Sequence, residues 1–400
     1  MVSGYDVRKM WRGWTLVFFI AVTVWAEDAR LSQIRAILEP MRGRPYDESG
    51  LRGATPAFTT VKHLLRDWIE SKLAGLRADD DPVAVAGPLN AELETAGLIG
   101  KEPDEPGNAL GLPPGYLKEI EIKHANAVIV TAGLSIQNCG FDESAYAYEF
   151  SSDRWQGVWE NEQNDYAGKK YLPQQLMGVY VSPPNYDSGA DPSERLVLTL
   201  GWHDWCTSSW QDVYYRVWRI KSSLTQPKLL INESEWSFLA REPPIKGSVG
   251  FNDVLVEYTV PGRDHSREEI RHYRIGPEDK VTRVDPLALS PFDFVEEWRI
   301  RPWAASLAWT ESSVREKLVP VHKRLGSELL LRPYMATTHC TDRPDLWQVS
   351  ADASTYFLVR WKPPYRFTMV DVSDHRWKAC DELDPHADEF RTLFPDQDWR

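Results

Sequence analysis

The chain has 400 residues, of which 42% are hydrophobic and 26% are charged, and its formal net charge is −13. This composition is typical of a globular protein and excludes a disordered or fibrous chain. The acidic balance, without clusters of Lys and Arg, also argues against nucleic acid as a partner.

The first 26 residues have the order of a secretory signal peptide. Arg8, Lys9 and Arg12 precede an apolar run of about 12 residues, Trp14 to Trp25, and the small residue Ala26 follows it. The run is shorter than the roughly 20 residues of a membrane-spanning helix, although a retained anchor is the alternative. We therefore predict cleavage after Ala26, no membrane span in the mature protein, and a periplasmic or extracellular location.

The next region, from 27 to 114, is predicted to be helical. Its strongest helical spacing runs from Val61 to Leu73, after two candidate N-terminal caps, Thr59 and Thr60. The Gly- and Pro-rich stretch 107–114 has the composition of a linker. We place a boundary at its end.

Beyond this boundary the pattern changes to short runs of β-branched and aromatic residues separated by turns. Such spacing favours antiparallel meanders over βαβ units. The predicted strands are 127–136, 144–150, 155–159, 177–182, 196–202, 213–220, 228–231, 254–260, 269–275 and 281–284.

A weak internal repeat lies in this region. Val128–Thr131 corresponds to Leu196–Thr199 and to Val254–Glu257, and Tyr146 corresponds to Tyr214. Four-stranded repeats suggest propeller blades, but a unit of about 60 residues exceeds the 40 to 50 of familiar blades, and three copies do not close a ring. A two-sheet sandwich is the alternative.

The chain has four cysteines, which are expected to pair if the protein is exported, and three pairings are possible. Cys139 and Cys206 occupy equivalent positions of the repeat, whereas Cys340 and Cys380 both lie near the C-terminus. We therefore predict the bridges 139–206 and 340–380.

A helical insertion is predicted to begin at Ser290, which can cap a helix, with Pro291 in the first helical position. Phe294, Val295 and Trp298 would form the buried face of this helix. Predicted strands at 346–349, 356–361 and 367–372 and an acidic tail follow.

The sequence thus predicts a mainly β, α+β overall, protein of antiparallel meander repeats. Its five parts are a signal peptide (1–26), a helical N-terminal region (27–114), a β-meander region (115–289), a helical insertion (290–330) and a C-terminal β region with an acidic tail (331–400).

Three passages, 139–146, 285–291 and 357–367, resemble a group of exported bacterial proteins with no established activity. The resemblance extends over most of the mature chain and implies a bacterial origin. It transfers no catalytic residue.

The predicted ligand site lies where a strand ends in a segment rich in indoles. It consists of Trp202, His203, Asp204, Trp205 and Trp210. Exposed indoles can stack on sugars or other flat ligands, whereas buried indoles fill a core, and both interpretations remain open. If the strand continues, His203 and Asp204 point to opposite faces and cannot act as a base with its orienting acid.

Catalytic residues are harder to identify, because no nucleophile motif such as G-x-S-x-G is present. The neighbouring acids Asp142–Glu143, and Glu160 and Glu162 with Asp165, could serve a glycosidase. A secreted hydrolase using acidic residues and His203 is therefore the alternative function.

A zinc site is suggested by His339 beside Cys340 and by His375 near Cys380, but no C-x-x-C or H-E-x-x-H spacing supports it. We expect no metal and no cofactor. The favoured function is a non-catalytic exported or envelope binding protein with an aromatic surface, for which carbohydrate or an envelope component is the candidate partner. Trp218, which alternates with Tyr214 along a strand, is expected to face inward.

Overall fold

The computed structural model describes residues 28–42, 48–100, 114–137, 140–164, 166, 174–184, 194–203, 210–221, 226–238, 245–260, 267–284, 288–327, 337–352, 354–363 and 365–380. The chain divides into two compact units, Met1–Pro173 and Gln174–Arg400, called here the first and second unit. The predicted signal peptide lies outside the described residues. Among these residues, no helix combines the length and apolar character needed to cross a membrane.

The described part of the first unit begins with the helices α1 (Ala29–Leu38), α2 (Glu48–Leu73) and α3 (Ala86–Thr95). At the start of α1, the Asp28 carboxylate accepts a hydrogen bond of 2.9 Å from the backbone N–H of Arg30. This contact satisfies one of the donors left free at a helix N-terminus.

The start of α2 differs from the prediction, because Thr59 and Thr60 lie inside this helix and do not cap it. The helix passes through Pro56, which cannot donate a backbone hydrogen bond. The Thr60 hydroxyl donates to the Pro56 carbonyl at 2.8 Å. A threonine hydroxyl can bond either to a helix N-terminus or back to the preceding turn, and sequence does not distinguish the two.

Sheet 1 completes the first unit with strands β1 (Glu121–His124), β2 (Val128–Gln137), β3 (Gly140–Ser151) and β4 (Arg154–Asn161) in antiparallel order. One hydrophobic core joins the helices to this sheet. The change of pattern near residue 115 therefore lies within the first unit and does not separate two cores. The core residues from β2 alternate along the strand and are Val128, Val130, Ala132, Leu134 and Ile136.

The second unit contains two further meanders that share a core. Sheet 2 is formed by β5 (Gln174–Val181), β6 (Arg195–His203), β7 (Trp210–Ile220) and β8 (Lys228–Phe238), and sheet 3 by β9 (Ile245–Val249), β10 (Asp253–Val260), β11 (Arg267–Ile275) and β12 (Val281–Arg283). Alternate residues of β6 and β7 pack with residues of β10 and β11 in one cluster. Sheets 2 and 3 thus pack against each other through one shared core.

Sheet 4 is the last meander and is formed by β13 (Thr337–His339), β14 (Leu346–Asp352), β15 (Thr355–Lys362) and β16 (Arg366–Ser373). The predicted helical insertion is confirmed as α4 (Pro291–Ile300), α5 (Trp303–Ser306) and α6 (Arg315–Ser327). Ser290 caps α4, since its hydroxyl accepts from the Asp293 N–H at 3.1 Å. The predicted buried face, Phe294, Val295 and Trp298, packs with sheet 4.

The mainly β meander fold is therefore confirmed, and the repeat corresponds to strand order. The three repeated segments lie in β2, β6 and β10, each the second strand of its sheet. Side-chain positions correspond less well, because Tyr146 pairs with Val130, whereas Tyr214 pairs with Gly201 and Leu198 pairs with Val217. Relative to the repeated segment, the two tyrosines therefore lie on opposite faces of their sheets.

The predicted bridge between Cys340 and Cys380 is confirmed, and the two Cα atoms lie 3.9 Å apart. It joins the segment after β13 to the short helical turn after β16. Beside it, the Thr341 N–H donates to the Ala379 carbonyl at 2.9 Å. Cys139 and Cys206 lie outside the described residues, so their pairing remains a prediction.

Candidate functional site

The predicted aromatic site falls at the end of β6, where Trp202 and His203 are the last two residues of the strand. Trp202 is half-buried and packs against the core shared by sheets 2 and 3. Its indole N–H donates a hydrogen bond of 2.6 Å to the side-chain oxygen of Gln175, the residue opposite it on β5. Asp204 and Trp205 lie outside the described residues, as does the side chain of Trp210, whose backbone begins β7.

His203 lies on the other face of sheet 2, as alternation along a strand requires. Its ring centroid is 5.0 Å from that of Tyr214. Its cross-strand neighbours are Gln174 and Asp212. In the described part of sheet 2, Asp212 is thus the acid aligned with His203.

Gly201 allows Tyr214 to lie flat on the sheet. A Cβ atom at this position would approach the Tyr214 hydroxyl oxygen to 2.4 Å, so only glycine fits beneath the ring. The Arg216 guanidinium lies over the same ring, 4.5 Å from its centroid. Trp218 shares this face with Tyr214, opposite to the face of Val217 in the core of sheets 2 and 3, and its indole nitrogen is buried.

A second group of polar residues lies between α2 and sheet 1. Lys62, Arg66 and Glu70 are spaced by four residues and so share one face of α2. Tyr146 and Tyr148 alternate along β3 on the face that packs against the helices. We call this group, together with Asp142 of β3 and with Glu160 and Glu162 near the end of β4, the polar seam.

The innermost part of the seam is an ion pair between Lys62 and Asp142, whose side chains are 4% and 0% exposed. The Lys62 ammonium also donates to the Tyr166 hydroxyl oxygen at 2.8 Å and to the Gln163 carbonyl at 2.5 Å. Tyr166 in turn donates to the Asp142 carboxylate. Burial and the neighbouring Asp142 charge raise the pKa of Tyr166, so its hydroxyl stays protonated and remains a donor.

The second part of the seam is centred on the Glu162 carboxylate, which is 3% exposed. It accepts hydrogen bonds from the Tyr146 hydroxyl at 2.8 Å and from the Asn164 amide at 3.1 Å. The His63 ring nitrogen Nε2 lies 3.5 Å away, and Arg66 Nη1 lies 3.6 Å away. Each of these groups can stabilise the ionised carboxylate, so Glu162 is already well compensated within the chain.

Within the first unit, the structure brings together three of the acids that the sequence offered for a glycosidase, Asp142, Glu160 and Glu162, around Arg66 and Lys62. The adjacent Glu143 pairs with Lys118 at 2.8 Å. Asp165 lies outside the described residues.

Sequence reasoning missed the residues that α2 contributes to the seam. The available signal was the four-residue spacing of Lys62, Arg66 and Glu70 beside the apolar stripe of α2. A spacing of this kind is also usual on a solvated helix face. The spacing becomes informative only when the polar residues that alternate along β3 are known to face α2.

A buried histidine lies among α4, α5 and α6. His322 Nε2 is 3.1 Å from the Trp298 carbonyl and 3.3 Å from the Ser306 hydroxyl oxygen. The Ser306 hydroxyl donates to the same Trp298 carbonyl at 2.6 Å and is fully buried, so substrate cannot reach it as a nucleophile. Burial lowers the pKa of His322, which is consistent with a neutral structural ring.

The residues considered for zinc have other contacts. Cys340 and Cys380 are joined to each other, and His339 Nε2 lies 3.1 Å from the Pro344 carbonyl. Within the described ranges, no three His, Cys, Asp or Glu side chains are grouped to hold a metal ion.

Comparison with protein families, with characterised protein sequences and with solved structures finds no match for this chain. The function is therefore inferred from its own residues.

Proposed function

We propose that the chain is an exported, non-catalytic binding protein whose ligand contacts the strand ends of sheet 2 around Trp202. The observation that carries this proposal is the Trp202 indole, which is half-buried and oriented by the hydrogen bond to Gln175. An indole held in this way loses little conformational freedom when a ligand packs on it.

The surroundings of Trp202 support a binding role. The residue ends a strand of sheet 2, which packs in a core shared with sheet 3, and segments that follow strand ends can present side chains without disturbing the sheet. Flat faces of sugar rings and of other envelope components are suitable partners for an indole. The bridge between Cys340 and Cys380 is consistent with passage through an oxidising compartment.

Binding is favoured over hydrolysis because the acids of the polar seam are already engaged. Asp142 pairs with Lys62, Glu160 pairs with Arg66, and Glu162 accepts from Tyr146. A catalytic carboxylate must be available to a substrate or a water molecule, and these contacts compete with that role.

The proposal is tested by screening the purified mature protein against a glycan and peptidoglycan array. Trp202→Ala is expected to weaken binding by about tenfold or more, through loss of the stacking surface. Gln175→Ala removes the hydrogen bond that orients the indole and should also weaken binding, with a smaller effect on folding. Trp361→Ala is the matched control, because Trp361 is a half-buried indole of β15 in sheet 4.

Two results would contradict this proposal. One is the absence of any ligand on the array. The other is a ligand that the Trp202→Ala and Gln175→Ala variants bind as tightly as the unmodified protein.

Export is tested separately by mass spectrometry of protein recovered outside the cytoplasm. We expect Glu27 at the N-terminus, because cleavage after Ala26 fits the signal-peptide pattern. Recovery of protein that retains the first 26 residues would contradict cleavage.

A further inference from the structure

The innermost pair of the polar seam holds an amine and a carboxyl group in contact inside the core of the first unit. Lys62 Nζ contacts Asp142 Oδ2, and both side chains are almost fully buried. Lys72 and Glu92, in contrast, form a pair that is partly exposed to water. Taking two charges out of water is unfavourable, so a reaction that removes both charges is favoured at the buried pair.

Tyr166 is placed to carry a proton between the two groups of this pair. Its hydroxyl oxygen accepts a hydrogen bond from Lys62 Nζ at 2.8 Å, and its O–H donates to Asp142 Oδ2. Burial raises the pKa of Tyr166, so the hydroxyl proton is present. The hydroxyl can therefore take a proton from the nitrogen as it gives one to the carboxyl oxygen.

The surroundings of the pair hold it in place and exclude water. The Tyr166 hydroxyl and the Gln163 carbonyl both accept from Lys62 Nζ, which fixes the amine. Phe58, four residues before Lys62 on α2, packs edge-to-face on the Tyr166 ring, and both rings are buried. Groups held in contact in this way react with effective molarities that can exceed about 10⁵ M.

We propose that Lys62 and Asp142 join in an isopeptide bond, an amide between Nζ and Cγ, with loss of one water molecule. The ammonium first gives a proton to Asp142 Oδ2, which leaves a neutral amine and a neutral carboxylic acid. The Nζ lone pair then forms the bond to Cγ. A second proton passes from Nζ through Tyr166 to Oδ2, and the Cγ–Oδ2 bond breaks as water leaves.

This step balances without any other reactant. Of the three protons of the ammonium, two leave in the water molecule and one stays on the amide nitrogen. The product is a neutral amide in place of two buried charges, and it ties α2 covalently to β3 across 80 residues of chain. The proposal concerns the first unit and does not depend on the ligand site at Trp202.

The experiment is mass spectrometry of the reduced, unmodified mature protein. We expect an intact mass that is lower than the sequence mass by one water molecule. An N-terminal Glu27 could lose the same mass by cyclising, so tryptic peptides must locate the change. Trypsin should no longer cleave after Lys62, and peptide 53–66 should be recovered linked to peptide 124–154.

Two variants with the same replacement test the role of the amine. Lys62→Arg keeps a cation beside Asp142, but a guanidinium stays protonated and is not a nucleophile, so this variant should have the full mass. Lys72→Arg is the matched control on the same helix and should still lack one water molecule.

A third variant tests the proton carrier. When bond formation is followed by mass after synthesis in vitro, Tyr166→Phe should form the bond about a hundredfold more slowly than the unmodified chain. An equal rate would reject the role of Tyr166. The proposed bond itself is overturned if the unmodified protein has its full mass, or if water is lost only at Glu27 and peptides 53–66 and 124–154 are recovered unlinked.

Discussion

Replacing Lys62 by Met tests whether the buried end of the polar seam stabilises the first unit. Methionine is close to lysine in length and fills the same space, but it cannot neutralise Asp142. The Asp142 carboxylate, which is fully buried, would keep the Tyr166 hydroxyl as a donor and lose its cation. An uncompensated buried charge is far more costly than the loss of the attraction itself.

The expected loss for Lys62→Met is about 3 to 5 kcal/mol, as for other buried pairs with one partner removed. This is a large fraction of the roughly 5 to 15 kcal/mol that stabilises a typical domain. The matched control is Lys72→Met on the same helix. Lys72 pairs with Glu92 at 2.6 Å, but the two side chains are 31% and 44% exposed. An exposed pair of this kind contributes at most about 1 kcal/mol.

A double variant separates the charge effect from the loss of packing. Lys62→Met with Asp142→Asn removes both charges and leaves a neutral amide, so it should recover a substantial part of the stability that Lys62→Met loses. The cycle of single and double variants then gives the coupling between the two residues.

The assay should report on the first unit alone, because two units can unfold in separate transitions. Hydrogen exchange measured by mass spectrometry on peptides from α2 and β3 meets this requirement. Lys62→Met should speed exchange in both elements. If it exchanges no faster than Lys72→Met, the pair does not stabilise the fold and the reasoning is refuted.

Three further predictions concern the second unit. Gly201→Ala should cost about 1 to 3 kcal/mol in urea unfolding, because the added methyl group collides with the Gln175 backbone carbonyl and with Tyr214; a neutral result would show that both can move. Replacing Cys340 and Cys380 by Ser opens a loop of 40 residues, and the chain-entropy model predicts a loss of about 4 kcal/mol in the free energy of unfolding. An unchanged midpoint of urea unfolding would contradict this prediction. Burial lowers the pKa of His322, so the stability that the neutral ring contributes is complete above about pH 6.5, the pKa of the unfolded state, and is lost as pH falls through the lower folded value. His322→Gln should therefore make the free energy of unfolding depend less on pH in acid. An unchanged pH dependence would exclude this role for His322.

Alternation of apolar residues predicted most of the strands, because each of those strands has one face in a core. The strands that sequence reasoning missed are short outer ones, β1, β9 and β13. In β1 only Ile122 is buried, so no period of two can be recognised. Such strands are specified by the hydrogen bonds of their neighbours more than by their own side chains.

The polar seam could be predicted only in part. The acids of β3 and β4 were visible, and alternation predicts that Asp142 shares a face with Tyr146 and Tyr148. Their cations come from Lys62 and Arg66, which lie 80 to 96 residues away along the chain from the carboxylates they contact. Helix and strand periods give the face of each element, but they do not give the register in which a helix docks on a sheet.

The polar seam is structurally important because it bears on the register in which α2 docks on sheet 1. An apolar stripe on α2 can pack on sheet 1 in more than one position, since hydrophobic contact is not directional. Pairing of Lys62 with Asp142, together with Arg66 beside Glu162, penalises every register that leaves one of these charges buried without its partner. We infer that the pairs Lys62–Asp142 and Arg66–Glu162 select one register of α2.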